Sequence, residues 1–483
     1  MINLKSDRNQ KTNETRLVQI LFYTFPMWFI VGNLAVSLNT LLFIVVSLFV
    51  IQRQKLTFRF NNSYWFLIAF FLYFFISTTI QFLSPGLFNE TIKNWPIENN
   101  PIFKSFFLIR FLILIFVIDT LFFNNILNLK KFFLFSLLCT SFVCFDIFLQ
   151  YATGFDIFGY KRQGSWNTGP FGDEWIAGGY LKNFSFFSFF YIFQTLKNKK
   201  FINLLSIFII TLHLVAALLS GNKMSMLLFL FGCVLIILLI KNLRFVMSLS
   251  LIIFLSVFFL IVNKDSYEGQ NYYKQQYVRF FSEFSITKLI KITKDLTTKQ
   301  DDKRAELNEA YKKEQRLKPN VSYISDEITL FRYSGYNRLF RTAITMWKEQ
   351  PLFGFGLKSF RIKCWSILVK DNAERKITKR PQNISCSNHP HNYYLEFLSE
   401  AGIIGTGLML IFFLILLKDS FNYLKKYNQQ NKPEINLLIP IIILFFIGIW
   451  PIKSTGSFFT TWGATFFWLN VAMLIAVKTK KSP

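Results

Sequence analysis

Long apolar runs separated by short polar breaks set the pattern of this chain. They lie near 17–32, 34–51, 64–83, 105–123, 132–151, 179–195, 202–219, 223–240, 245–263, 400–417, 436–451 and 456–476. Each reaches or approaches the ~17–25 residues that a helix needs to cross a bilayer. The pattern predicts an all-α polytopic membrane protein with about twelve transmembrane helices. Only Gly32 and Asn33 separate the first two runs. Residues 264–399 escape the pattern, being polar and long enough to fold outside the bilayer. The chain therefore divides into 1–263 with the first nine spans, 264–399 as one large loop domain, and 400–483 with the last three.

Within the loop, Lys264 to Val321 is highly charged with little apolar periodicity, and predicts helical or loosely ordered surface. Ser334 to Gln350 predicts a helix with Leu339, Ala343, Met346 and Trp347 along one face. Pro351-Leu-Phe-Gly354-Phe-Gly356 then breaks it, because proline and paired glycines force a turn.

Composition agrees with a membrane protein: 52% of residues are hydrophobic and 62 are Phe. The net charge of +27 invites a nucleic-acid partner, but the basic residues are scattered between apolar spans instead of gathered on one soluble face, so none is assigned. Their distribution instead predicts orientation. Lys5, Arg8, Lys11 and Arg16, then Arg53, Lys55 and Arg59, then Lys130 and Lys131 fall in alternate segments. So do Lys197, Lys199 and Lys200, Lys241 and Arg244, Lys418, Lys425, Lys426 and Lys432, and Lys478, Lys480 and Lys481. The intervening segments are sparser, with Lys93, Lys161, Arg162, Lys223 and Lys453. This asymmetry places both termini in the cytoplasm and the 264–399 loop outside it. Residues 1–16 are polar and no small-residue cleavage site closes the first run, so no cleavable signal peptide is expected.

Of five cysteines, Cys139, Cys144 and Cys233 fall inside spans, as small apolar filler. Cys364 and Cys386 both lie in the outer loop, where a disulfide and two free thiols are both open readings. A disulfide would brace the segment that delivers two of the three histidines.

Those two are in His389-Pro-His391-Asn392, just before the apolar run that begins near 400. The plain reading of His391 is a hydrogen-bonded loop histidine. Its position favours chemistry: an imidazole that titrates near neutrality sits where loop meets membrane, the level at which a lipid-linked substrate presents its head group. Asn392 could orient a ring or a sugar hydroxyl, Gly402 and Gly405 allow close backbone approach, and His389 is placed in support. A metal would need further ligands beside His-x-His, with Glu396 and Glu400 the local candidates, and no metal site is assigned. Arg338 and Arg341 are three apart on one helix face, a spacing suited to phosphate oxygens as well as to a solvated basic surface. Lys223, in Ser220-Gly-Asn-Lys223, is explained by snorkelling or by a lipid-borne phosphate. The loop from Gly159 through Arg162 to Glu174 and Gly178, preceded by Asp146 and Gln150, is read as a wall of the same cavity.

These motifs resemble the O-antigen ligase family of bacterial inner-membrane proteins, which also includes O-antigen polymerases and pilin-modifying oligosaccharyltransferases. His391-Asn392, nine residues and Gly402-Ile-Ile-Gly405 look like its ligase motif. The Arg338 helix with Pro351-Leu-Phe-Gly-Phe-Gly356 resembles the segment before it, and the layout of spans around one long outer loop is similar. The resemblance is specific over 334–410 and weaker over 146–240. One departure is Lys223, where the family usually carries arginine: the charge survives but the bidentate fork does not. The resemblance implies a GT-C-like membrane glycosyltransferase of the inner membrane, inverting, metal-independent and without a cofactor. Its donor would be a glycan on undecaprenyl diphosphate, its acceptor a hydroxyl of lipid A–core, and membrane lipids its surroundings. Arg338, with Arg341 and Lys223, would neutralise the diphosphate, and His391 would act as general base or, as imidazolium, bind that diphosphate. Two alternatives stay open: a polymerase extending lipid-linked glycan, and a transporter or flippase of lipid-linked sugar, although the repeated halves common in transporters are not seen.

Overall fold

The computed structural model describes residues 13–60, 63–84, 100–195, 199–265, 267–283, 336–378, 384–430 and 437–479. The basic flanks Lys5, Arg8, Lys11, Lys93, Lys197, Lys432, Lys480 and Lys481, and loop residues 284–335, lie outside the described residues. Among those described the structure is all-helical, with isolated bridges and no strand. In chain order the helices are α1 (Asn13–Tyr23), α2 (Phe25–Val31), α3 (Asn33–Arg53), α4 (Ser63–Leu83), α5 (Pro101–Phe107), α6 (Ile109–Phe123) and α7 (Leu129–Thr153). Then come α8 (Ala177–Thr195), α9 (Lys199–Leu219), α10 (Lys223–Leu239), α11 (Arg244–Lys264) and α12 (Tyr272–Glu283). The rest are α13 (Asn337–Glu349), α14 (Phe360–Thr378), α15 (Tyr393–Gln430), α16 (Ile439–Ile449) and α17 (Thr461–Thr479).

Each apolar run of the sequence overlaps a helix. Seven stretches (α3, α4, α5 with α6, α7, α9, α11 and α15) are long and apolar enough to cross a membrane, and α10, α16 and α17 are shorter apolar helices. The first run, expected as one span, is two helices broken at Thr24, because Pro26 lacks the N–H that a continuous helix would need and fits only a first turn. The run expected from 400 begins earlier, at Tyr393, where Asn392 accepts from the backbone N–H of Tyr394 (3.0 Å) and Leu395 (3.2 Å) as a helix N-cap.

One phenylalanine-rich core runs through the spans, with α17 at its centre: Trp468 and Val471 to Ala476 are buried against α6 and its neighbours. With lipid outside, this packing rests on dispersion and on aromatic pairs such as Phe22–Phe122 (5.6 Å) and Phe458–Phe467 (5.0 Å). The segment between α12 and α15 has a small core of its own, built from Leu339, Ala343, Met346, Phe355, Phe360, Cys364, Ile367 and Ile384. Cys364 and Cys386 form a disulfide with Cα atoms 5.3 Å apart, joining α14 to the segment that leads to His391.

The two parts meet at Gly402. Its backbone (φ 62°, ψ −167°) is non-helical and belongs to a region open essentially to glycine, so α15 kinks there. The turn after α13 fills the break. Ile403 and Ile404 donate to the carbonyls of Pro351 (2.8 Å) and Leu352 (3.2 Å), while Phe355 and Gly356 donate to those of Ser399 (3.2 Å) and Glu400 (2.8 Å). From α4, the Tyr73 hydroxyl donates to Ala401 O (2.7 Å) and Thr78 Oγ1 accepts from Leu357 N (2.9 Å). A Cβ at Gly402 would lie 2.3 Å from Leu352 O, and one at Gly354 2.5 Å from the Glu400 carbonyl carbon. Gly402→Ala and Gly354→Ala should each destabilise by about 2–4 kcal/mol, combining backbone strain with displacement of the turn. Gly407→Ala, with nothing within 4 Å of its added Cβ, should be neutral or slightly stabilising. Thermal unfolding of the detergent-solubilised variants reads the difference.

Candidate functional site

His391 stands just before α15 with left-handed backbone (φ 58°). Its carbonyl accepts from Thr455 N (2.8 Å), and its Nδ1 lies 3.2 Å from Thr455 O. A carbonyl can only accept, so Nδ1 carries the proton and Nε2 keeps its lone pair. The His389 ring lies 4.1 Å from that of His391, and the Tyr336 ring, at the start of α13, lies 4.8 Å away on centroids. Burial lowers the pKa of His391 against the opposing effect of its Thr455 contact. His389 is lowered to about 4 by burial, then by His391 and Lys358. Both imidazoles are therefore neutral at pH 7.

Asn392, expected to orient a ring or a sugar hydroxyl, is engaged otherwise. Its Oδ1 caps α15 and its Nδ2 donates to the carbonyls of Pro451 (2.9 Å) and Lys453 (3.2 Å). It ties the helix start to the segment between α16 and α17, which also carries Thr455.

Beneath the histidines lies a polar frame that sequence reasoning largely missed. Lys358 Nζ donates to Ser457 Oγ (2.7 Å), and Ser457 Oγ donates to Glu396 Oε1 (2.5 Å). Glu396 Oε2 accepts from Phe458 N (2.7 Å), and Glu400 accepts from the backbone N–H of Lys358 (2.8 Å) and Phe360 (3.4 Å). All four side chains are buried. Burial lowers the Lys358 pKa, and Glu396 and Glu400 oppose that. Lys453, read from sequence as a lone outer cation, is buried, and its Nζ donates to Ile447 O (3.0 Å) and Gly448 O (2.5 Å) at the C-terminal end of α16. Its pKa is also lowered, by burial and then by Lys182. A signal existed for the glutamates: two carboxylates one helical turn apart, at the head of an apolar helix, are costly unless paired. Among the described residues, no group of three or more His, Cys, Asp and Glu could hold a metal ion.

The structure brings His389, His391, Asn392 and the start of α13 together, whereas Gly402 lies further along α15, against the turn after α13. Arg338 and Arg341 are half-buried on the first two turns of that helix, which packs against α15. Thr342, one position on, donates to Ser385 O (2.7 Å) and holds the helix beside the segment leading to the histidines. Gly405 packs against the Tyr73 ring, with room for no Cβ. Lys223 is half-buried in the first turn of α10, where Asn222 caps the helix by accepting from Ser225 N (3.1 Å). Asn222 also donates to Trp175 O (3.2 Å), and so ties this turn to the 159–178 loop.

Arg162 and Glu174 part company. Glu174 is exposed. Arg162 is buried, with Nη2 3.1 Å from Asp265 Oδ2, Nε donating to Gly164 O (2.7 Å), and its guanidinium 4.4 Å from the Tyr267 ring centroid. Asp146 and Gln150 brace the same loop, accepting from Ile157 N (2.8 Å) and Gly169 N (2.9 Å). In this clamp Arg162 secures the 154–164 loop to residues 265–273. Arg162→Ala should cost about 3–5 kcal/mol, because it strands the buried Asp265 charge, and adding Asp265→Asn should recover part of that. Glu174→Ala should change stability by less than about 0.5 kcal/mol. Thermal denaturation of the three variants tests this.

Comparison with curated proteins gives no match. A family model described as O-antigen ligase matches residues 206–410. The match runs from within α9 to the kinked part of α15, and covers Lys223, Arg338, Arg341, His389, His391, Asn392, Gly402 and Gly405. The resemblance carried by His391-Asn392 and Gly402-Ile-Ile-Gly405 is thus borne out as a match to the O-antigen ligase family model over residues 206–410.

Proposed function

We propose that the protein is an O-antigen ligase, transferring a glycan from undecaprenyl diphosphate to a hydroxyl of lipid A–core. The observation that carries this reading is the His391 imidazole, neutral, with Nδ1 turned to Thr455 O and Nε2 available as a base, inside the family-matched stretch. The acceptor oxygen attacks the anomeric carbon from the face opposite the diphosphate and gives its proton to Nε2. The bond from that carbon to the diphosphate oxygen breaks, and undecaprenyl diphosphate leaves with the bonding pair. Configuration inverts, and neither a metal nor a cofactor enters. Arg338, with Arg341 and Lys223, neutralises the charge that builds on the leaving oxygens. Lys223 acts as a point charge, where arginine would make a two-pronged contact. The neutral imidazole supports a base over an imidazolium that binds phosphate.

In this reading the chain crosses a bacterial inner membrane twelve times with both termini in the cytoplasm, and the 264–399 loop works in the periplasm. The basic residues of the alternate segments support that orientation.

The test supplies solubilised protein with lipid-linked glycan and lipid A–core. Wild type should move glycan to the core, His391→Ala should lose about 10²–10⁴ of the rate, and Arg338→Ala about 10²–10³. Lengthening of lipid-linked chains with the core left bare would mean a polymerase, and no turnover of either kind would reopen transport. The pH profile adds a second check. Because burial lowers the His391 pKa, its neutral form persists below the ordinary histidine value and is lost only as the pH falls further. The rate should stay flat from pH 8 down to about 6.5 and fall only in more acid solution. An acid limb centred above that value would contradict the neutral-base assignment.

A further inference from the structure

The proposed transfer makes no use of the buried charges under the histidine pair. Lys358 is 7% exposed, Ser457 2%, and Glu396 and Glu400 1% each. Lys358 adopts left-handed backbone (φ 61°), which aims its N–H at Glu400 (2.8 Å) and leaves its ammonium on Ser457 (2.7 Å). Ser457 in turn holds Glu396, whose other oxygen takes Phe458 N. Lys358 thus bolts the turn after Gly356 to the 451–458 segment. That segment carries Thr455, which both gives its N–H to the His391 carbonyl and takes His391 Nδ1. A charge this deep needs partners, and here the partners lie on the segments that present the imidazole.

We propose that Lys358 is a positioning residue for His391: through Ser457 and Glu396 it fixes the Thr455 carbonyl that selects the imidazole tautomer, and its ammonium is a charge felt by the neighbouring His389. The tautomer part rests on the glycosyl-transfer reading, whereas the charge part does not.

The titratable and charged groups on the surrounding elements are Tyr336, Arg338 and Arg341 of α13, Lys358, Arg361 at the start of α14, Tyr393, Glu396 and Glu400 of α15, and Lys453. The two glutamates are occupied by Ser457 and the backbone of Lys358, Phe360 and Phe458. Lys453 is occupied by the end of α16. After burial and the neighbouring ring, Lys358 and then Arg361 are the charges that hold the His389 proton off. The third histidine, His213, is buried in the span core against Thr140 (3.0 Å) and does not report on this pair.

The experiment treats the solubilised full chain with diethyl pyrocarbonate, with which imidazole reacts only in its neutral form, over about pH 4 to 8, a window around the ordinary histidine value. Modification of the peptide holding His389 and His391 is followed by mass spectrometry. Lys358→Met should raise the midpoint by about one pH unit, the effect of removing one charge in a partly buried setting. Ser457→Ala keeps the charge and cuts the bolt, so the midpoint should stay while kcat for transfer falls about tenfold with KM little changed. A midpoint unmoved by Lys358→Met, or moved equally by Ser457→Ala, overturns the charge role. An unchanged kcat in Ser457→Ala overturns the positioning role. If Lys358→Met does not fold, Arg361→Gln at its half-buried position must raise the midpoint, and no change there also overturns the charge role. Absence of transfer by the wild type removes the glycosyl-transfer reading and leaves the midpoint comparison intact.

Discussion

Backbone polar groups in an apolar surrounding must find partners, and α15 gives some of its own away at Gly402. Carbonyls of Pro351 and Leu352 replace the missing helical acceptors, and Ser399 and Glu400 return the exchange to Phe355 and Gly356. This mutual repair sets where the 336–378 segment sits on the spans. It works only because Gly354 and Gly402 let two backbones approach to distances that any side chain would prevent. The positions of Lys358, of α14 and of the disulfide to Cys386 follow from where that turn is held.

Above the kink, electrostatics and geometry agree. His391 lies just before the first turn of α15, where the helix dipole favours negative charge and disfavours an imidazolium. Burial acts in the same direction. The ring is left neutral with one nitrogen committed to Thr455 O. A neutral base beside cations suits a reaction in which a hydroxyl loses a proton while a diphosphate gains charge. The family match over 206–410 supports that chemistry in its general form, and the particular acceptor belongs to the proposal.

Much of the fold was legible because length and apolarity report directly on bilayer-crossing helices. The α13 face was legible too: Leu339, Ala343 and Met346 are buried as their spacing predicts, while Trp347 is half-buried and donates to Pro351 O (3.2 Å). The start of α15 was misplaced because Glu396 and Glu400 interrupt the apolar run, and nothing local shows that distant segments pair both carboxylates. Lys358 had no local signal, since its partner Ser457 is 99 residues away. The same holds for Arg162, which was read as a cavity wall and has its buried partner, Asp265, 103 residues on. Asn392 did carry a legible signal, an asparagine at the head of an apolar helix, and its capping role was overlooked in favour of substrate contact.

The most direct test of the account labels the site with the proposed donor. A photoreactive undecaprenyl diphosphate analogue would be incubated with the membrane-embedded protein, irradiated, and the labelled peptides identified by mass spectrometry. The account predicts labelling within 336–341 and 389–392, and in the first turn of α10 at Lys223, competed by unlabelled lipid diphosphate. Labelling confined to the 154–178 loop or to the ends of the spans far from His391 would contradict it.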